Sequence, residues 1–163
     1  MEKSKPRIYL DTSVVSYYAA RLHGDLRIRA RQLVTRDWWA AFRGKADFYV
    51  SSHVLEEIAA GDPIAARERI AVVKEFASVV SNFQSEQFGE QLFRKLNIPL
   101  RSKADAWHLA LAALNGQNYI VSWNFKHMAN SRIQKVYVES CRTAGLLAPE
   151  IVTPEFMLRG GGI

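Results

Sequence analysis

Short apolar runs alternate along the chain with longer segments whose apolar residues recur at helical spacing. Runs of this length, rich in β-branched and aromatic residues, are typical of strands buried in a sheet. We predict strands at residues 7–11, 47–51, 78–80 and 119–122, and an edge strand at 150–152. The helical spacing predicts helices at residues 14–20, 26–43, 54–60, 63–76, 85–96, 103–114 and 131–144.

Hydroxyl side chains stand where several of these helices should begin. Thr12 or Ser13 can cap the first helix, and Ser51 or Ser52 can cap the helix after the second strand, because a side-chain oxygen accepts from the unpaired amides of a helix start. The helix over 103–114 is apolar on nearly every side after its first turn. Such a helix is expected to lie buried between the sheet and neighbouring helices.

The alternation of strands and helices predicts the α/β class, with a mostly parallel sheet covered on both faces. We expect a single domain over residues 7–153, with tails at 1–6 and 154–163. In such folds ligands bind outside the carboxyl ends of the strands. Polar residues stand at these ends and should converge on one cleft: Asp11 after the first strand, Glu56 and Glu57 after the second, Asp105 at the start of the buried helix, and Asn124 after the fourth strand.

The charge of the chain changes the range of partners to consider. The 163 residues carry a formal charge of +6, and a positive surface field attracts polyanions such as nucleic acid. Residues 21–45 hold a clear excess of arginine and lysine. This excess indicates either a surface for phosphates or a partner, or an ordinary solvated helix face.

Cysteine content and hydropathy indicate the compartment. With Cys141 as the one cysteine, no internal disulfide and no cysteine-rich zinc site can form, as is usual in a reducing cytoplasm. No stretch approaches the roughly 20 apolar residues of a membrane span. We therefore expect a cytoplasmic protein that does not associate with membranes.

Several carboxylates in one cleft repel each other, so at neutral pH they must take up protons or bind a cation. Oxygen ligands without cysteine or a paired histidine motif favour Mg²⁺ or Mn²⁺ over zinc. One or two such ions would polarise a phosphodiester and lower the pKa of a water that attacks phosphorus. A basic protein with such a site is expected to be a nuclease.

Structural alternatives exist for the two aspartates. Asp11 could serve only as a helix cap. Asp105 stands three residues after Ser102, the spacing of a capping-box-like arrangement, and its charge suits a helix start.

The remaining candidates also have alternatives. Glu56 and Glu57 point about 100° apart on a helix, and periodicity does not separate a site residue from a solvated charge here. His108 is either a ligand or a satisfied core histidine. The four tryptophans, Trp38, Trp39, Trp107 and Trp123, could stack on bases or pack in the core.

Four segments resemble, in order and rough spacing, the motifs of PIN domains, most closely those of the VapC-type toxins of bacterial toxin–antitoxin pairs. The resemblance extends over residues 7–153. The four segments are Tyr-Leu-Asp-Thr-Ser at 9–13, Glu-Ile-Ala-Ala-Gly at 57–61, Ala-Asp-Ala-Trp-His-Leu-Ala at 104–110 and Ser-Trp-Asn-Phe at 122–125.

The resemblance implies a three-layer α/β/α fold and a metal-dependent ribonuclease site in an acidic cleft. Asp11 matches the first carboxylate of the family and Asp105 the third, and both should contact Mg²⁺ or Mn²⁺. Glu57 matches the second carboxylate better than Glu56, because the family pattern ends in a glycine that corresponds to Gly61. The resemblance implies that Asp11, Glu57 and Asp105 hold the metal ion and that Asn124 orients a ligand or water.

The family pattern also implies supporting residues. Thr12 or Ser13 matches a hydroxyl beside the first acid, Ser122 a hydroxyl after the fourth strand, and Asn124 an asparagine two positions later. Many PIN domains carry a fourth acid shortly after this asparagine, where the chain has Lys126 and His127. This departure leaves open whether the site takes one metal ion or two.

The resemblance further implies an RNA substrate, a cognate antitoxin and a homodimer. One alternative is a catalytically weak PIN fold that binds RNA or protein. A second is a phosphatase with an aspartyl nucleophile, but Ser13 stands where a second acid is expected in such enzymes.

Overall fold

A computed structural model of the chain describes residues 4–161. Within these residues the strands are β1 (Arg7–Leu10), β2 (Asp47–Ser51), β3 (Ala77–Val79), β4 (Tyr119–Val121) and β5 (Glu150–Val152). They form one five-stranded sheet in the order β3-β2-β1-β4-β5, in which all neighbouring strands are parallel. This topology confirms the predicted α/β class and the edge position of β5.

The helices of the described residues are α1 (Thr12–Ala19), α2 (Leu26–Phe42), α3 (Ser52–Ala59), α4 (Pro63–Val73), α5 (Phe83–Leu96), α6 (Lys103–Leu114), α7 (Ser131–Thr143) and α8 (Pro154–Leu158). α2 packs against α1 and α8, and α5 packs against α6 and α7. Together with the sheet they give the expected three-layer α/β/α arrangement. No helix in residues 4–161 combines the length and apolar character required to span a membrane.

The central strand β1 positions the site. Ile8, Tyr9 and Leu10 are fully buried because β1 has a parallel strand on each side and helices on both faces. The backbone amide of Asp11 donates to the carbonyl of Val121 at 3.1 Å. Asp11 therefore lies at the carboxyl edge of the sheet, between the ends of β1 and β4.

The predicted buried helix is confirmed. Eight consecutive residues of α6, from Ala106 to Ala113, are buried, and α6 packs against α5, α3 and β4. Its first turn carries Asp105.

Most predicted helices differ from the observed ones by one to three residues at an end, and α3 and α5 each begin two residues earlier than predicted. α1 begins at Thr12, because Asp11 is its N-cap and accepts from the amide of Ser13 at 3.2 Å; the prediction of Thr12 or Ser13 as the cap is wrong. α4 ends at Val73, three residues early, because the chain must turn before β3 pairs with β2 at Ala77.

The helix α8 was not predicted. Thr153 caps it by accepting from the amide of Phe156, Pro154 occupies its first turn, and the buried Met157 is one of its core residues. Five residues are too few to show a helical period, so the sequence pattern could not reveal it. Residues 1–3 and 162–163 of the predicted tails lie outside the described residues.

Candidate active site

Asp11 is buried, with 5% of its surface exposed, and one of its carboxylate oxygens is held by hydroxyl groups. Its Oδ2 accepts from Ser13 Oγ at 2.5 Å and from Ser122 Oγ at 2.9 Å. Within residues 4–161 no hydrogen bond reaches its Oδ1. The helix-cap role and a ligand role are therefore compatible, because they use different oxygens of the carboxylate.

The two serine hydroxyls also connect Asp11 to the loop after β4. Ser13 Oγ accepts from the amide of Trp123 at 3.0 Å, and Ser122 Oγ accepts from the amide of Asn124 at 2.9 Å. The backbone that carries Asn124 is thereby tied to the same carboxylate. Both predicted supporting serines lie at Asp11, whereas Thr12 points elsewhere.

Asp105 lies in the first turn of α6 and faces Asn124. Asn124 Nδ2 donates to Asp105 Oδ1 at 3.1 Å. Ser102 makes no side-chain hydrogen bond at the start of α6, so the capping-box alternative is not realised. Burial, and next the charge of Asp11, raise the pKa of Asp105 from 3.8 to about 6.

Glu57 reaches the cleft from α3. Its carboxylate accepts a hydrogen bond from Thr12 Oγ1, and His108 Nε2 lies 3.4 Å from Oε1 and 3.3 Å from Oε2. Burial raises the pKa of Glu57, but the hydrogen bond and charge of His108 and the hydrogen bond of Thr12 lower it below its usual value. Glu56 and Glu57 are both exposed residues, but Glu56 makes no side-chain hydrogen bond or salt bridge within residues 4–161. The structure thus brings Glu57, and not Glu56, to the cleft.

The raised pKa of Asp105 has a consequence for stability. Between about pH 4 and pH 6 the folded chain holds a proton that the unfolded chain releases, so stability contributed by this group is lost as pH rises through that range. We expect Asp105→Asn to raise the free energy of unfolding at pH 7, without added metal, by an amount on the order of 2 kcal/mol. Urea denaturation at pH 4.5 and pH 7 measures this, with Asp25→Asn at the exposed cap of α2 as control. Equal pH dependence in Asp105→Asn and the parent would contradict it.

The donor set of the cleft fits a hard divalent cation held by two carboxylates. Asp11 Oδ1 and Asp105 Oδ2 accept no hydrogen bond within residues 4–161, and Mg²⁺ in proteins is commonly bound by one or two carboxylates together with waters. Glu57 is engaged by Thr12 and His108. No three histidine, cysteine, aspartate or glutamate side chains of residues 4–161 are grouped closely enough to hold a metal ion. The three-carboxylate metal site therefore stays a prediction.

Sequence reasoning missed Tyr9 and Ser51. The fully buried hydroxyl of Tyr9 lies 2.6 Å from His108 Nδ1 and 2.7 Å from Ser51 Oγ. Tyr9 stands two residues before Asp11, and residues two apart in a strand share a face. This spacing could have indicated from the sequence that Tyr9 lies near the site, but its position in an apolar run suggested only a core residue.

The tryptophans pack in the core, which was one of the two alternatives given for them by the sequence. All four are at most 8% exposed, and Trp123 Nε1 donates to Thr35 Oγ1 at 2.8 Å. The guanidinium of Arg31 lies 5.6 Å from the Trp123 ring and 5.3 Å from the ring of the exposed Phe125. Arg31 therefore places a positive charge beside the loop that carries Asn124.

Other arginines of the basic segment support the backbone. Arg29 Nε donates to the carbonyl of His23, and Arg36 Nη2 donates to the carbonyl of Ala20. Both hydrogen bonds hold the connection between α1 and α2. Part of the basic excess over residues 21–45 is thus structural.

The fold and the site define a class of protein: a parallel α/β domain with an acidic cleft at the carboxyl ends of its central strands. The family model of the PIN domain matches residues 8–127. The chain belongs to the PIN domain family, which confirms the resemblance found in the sequence. PIN domains are generally nucleases, and such nucleases generally use divalent metal ions.

Solved structures with a similar fold include VapBC2 from Rickettsia felis bound to a DNA fragment from their promoter. That similarity has a TM-score of 0.56 at 10% identity and covers 89% of this chain and 98% of the other. At this identity it shows a shared fold. A tyrosyl-tRNA synthetase from Archaeoglobus fulgidus complexed with L-tyrosine has a TM-score of 0.48 at 12% identity, over 93% of this chain and 56% of the other, which is too weak to inform function. No curated protein sequence matches the chain.

Proposed function

We propose that this protein is a metal-dependent endoribonuclease that hydrolyses RNA phosphodiester bonds. The observation that carries the proposal is the meeting of Asp11, Glu57, Asp105 and Asn124 at one edge of the sheet in a PIN-family chain. Their electrostatic coupling supports it, since the charges of Asp11 and Glu57 both contribute to raising the pKa of Asp105.

Each residue has a distinct part in this function. Asp11 and Asp105 would hold Mg²⁺ or Mn²⁺ together with Glu57, the second carboxylate of the family pattern. When bound, the ion supplies positive charge that polarises the phosphodiester and acidifies water. Asn124 holds the carboxylate of Asp105, and the hydroxyls described above hold that of Asp11, so both acids are oriented before substrate arrives.

Positive charge beside the cleft supports a polyanionic substrate. Burial, and then the charges of Lys126, Arg101 and Arg132, lower the pKa of His127, three residues after Asn124. Arg31 adds a further cation next to the same loop. These lysine and arginine side chains would bind phosphates on either side of the bond that is cut. The choice of RNA over DNA rests on the resemblance to VapC-type toxins.

The biological setting is part of the proposal. The shared fold with the VapC-containing complex VapBC2 supports a toxin that a cognate antitoxin protein neutralises. We also propose a homodimer, a cytoplasmic location, and a nuclease domain over residues 7–153. Separation of the purified chain by size, alone and with the product of a neighbouring reading frame, tests the dimer and the antitoxin.

Metal removal is the direct test of the mechanism. We expect the purified protein to cut single-stranded RNA with Mg²⁺ or Mn²⁺, to lose cleavage in excess chelator, and to regain it when Mn²⁺ is added back. Gel analysis of end-labelled RNA measures this. A heat-inactivated sample is the control for contaminating nuclease, and undiminished cleavage in chelator would refute metal dependence.

A second candidate function is a PIN fold that binds RNA or protein with little catalysis. Two observations favour it: within residues 4–161 no three possible ligands are grouped for a metal, and Lys126 and His127 stand where many relatives have an acid. Isothermal titration with Mn²⁺ separates the candidates, because a binding module need not take up the ion at Asp11.

A further inference from the structure

We propose that His108 is a positioning residue that holds Glu57 in the cleft, and that a buried relay from Ser51 through Tyr9 keeps its Nε2 proton directed at Glu57. The inference rests on the proposed function for its consequence, because it concerns how Glu57 is presented to a cation. The hydrogen bonds of the relay are observed in the fold and do not depend on the proposed function.

The relay is a continuous line of hydrogen bonds across three elements. Ser51 Oγ, at the end of β2, lies 2.7 Å from the Tyr9 hydroxyl of β1, which lies 2.6 Å from Nδ1 of His108 on α6. His108 Nε2 is then 3.3 Å and 3.4 Å from the two oxygens of Glu57 on α3. A line of this kind couples the position of Glu57 to the centre of the sheet.

The protons of the relay can be placed from the chemistry of its groups. Tyr9 is fully buried and an ordinary phenol keeps its proton up to about pH 10, so its hydroxyl has one proton to donate. If Tyr9 donates to His108 Nδ1, the imidazole proton lies on Nε2 and Ser51 donates to Tyr9. If the imidazole is charged, both nitrogens carry protons and Tyr9 donates to Ser51. In both cases Nε2–H faces Glu57, whereas a proton on Nδ1 alone would turn the lone pair of Nε2 toward that carboxylate.

Burial makes this orientation costly to lose. Tyr9 and Ser51 are fully buried and His108 is 1% exposed, so a rotated imidazole would leave polar groups without partners. Within residues 4–161 the other side-chain hydrogen bond of Glu57 comes from the hydroxyl of Thr12, next to Asp11. Glu57 is thus held between a rigid donor from the core and a donor beside the first acid.

Three variants test the relay, with Mn²⁺ alone as the probe in isothermal titration. We expect His108→Leu to weaken Mn²⁺ binding by roughly 10–100-fold, the range for groups that orient metal ligands, and Tyr9→Phe to weaken it less. His108→Gln should recover part of the affinity, because its side-chain amide can donate to Glu57. Tyr137→Phe is the matched control, since Tyr137 is also fully buried and its hydroxyl donates to the carbonyl of Leu109.

A nitrogen-15 spectrum of the imidazole groups tests the proton placement without any metal. We expect a proton on His108 Nε2 in the parent, and a mixture of tautomers in Tyr9→Phe. A proton confined to Nδ1 would overturn the relay, as would Mn²⁺ affinities in His108→Leu and Tyr9→Phe equal to that of Tyr137→Phe. If the spectrum is as expected but the parent binds no Mn²⁺, the relay stands and the proposed function fails.

Discussion

Cleavage of RNA by Asp11→Asn is expected to fall by about 10³-fold or more, the scale on which loss of one preorganised electrostatic group is felt in catalysis. The amide removes the charge that would hold a cation together with Asp105. It keeps an oxygen that accepts from Ser13 and Ser122, and asparagine caps helices as well as aspartate does. We therefore expect the free energy of unfolding to change by less than about 1 kcal/mol.

The measurement is the rate of cleavage of end-labelled RNA together with a thermal or denaturant melt. Asp62→Asn is the matched control: Asp62 caps α4 by accepting from the amides of Ile64 and Ala65, and it is exposed. Cleavage at the parental rate by a folded Asp11→Asn variant would show that Asp11 is not part of the active site. Loss of cleavage by Asp62→Asn would indicate that cap chemistry, and not the cleft, determines activity.

Glu57→Gln and Glu56→Gln form the second decisive pair. We expect Glu57→Gln to reduce cleavage on the order of 10²-fold and to weaken Mn²⁺ binding, because it removes the negative charge that His108 and Thr12 position in the cleft. Glu56→Gln carries the same substitution on the same turn of α3 and should behave as the parent, since Glu56 makes no side-chain hydrogen bond or salt bridge within residues 4–161.

Cleavage rates at saturating Mn²⁺ and Mn²⁺ titrations separate the two glutamates. Equal losses in both variants would mean that the negative charge of α3 acts at a distance, and a larger loss in Glu56→Gln would reverse the assignment. Circular dichroism of both variants serves as the check that α3 remains folded.

Most of the fold was predictable because it depends on local pattern. A buried parallel strand needs a short apolar run, as at β1 and β4, and a helix enclosed on all sides must be apolar throughout, as α6 is. α8 escaped prediction since five residues show no period, and its stability comes from the Thr153 cap and the packing of Met157. That packing depends on α2, more than a hundred residues earlier.

The residues of the site were predictable from the sequence, but the hydrogen bonds that join them were not. Strand-end position and family resemblance selected Asp11, Asp105 and Asn124, and the hydrogen bonds that join them to each other and to the serines depend on the order of strands in the sheet. The choice of Glu57 over Glu56 came from the motif. Periodicity could not decide it, because both lie on the flanks of α3.

The sequence by itself determined that strands and helices alternate, that carboxylates stand at the strand ends, and that these segments match the PIN motifs, because each of these properties is encoded by neighbouring residues. Only the tertiary structure decided that β1 lies between β2 and β4. That arrangement places the Tyr9 hydroxyl between Ser51 and His108. It also gives Asp11 one oxygen held by serines and one free of protein hydrogen bonds within residues 4–161. The contacts of Tyr9 with Ser51 and His108, and that of Ser122 with Asp11, join residues 42 to 111 positions apart, a separation at which no local pattern carries information.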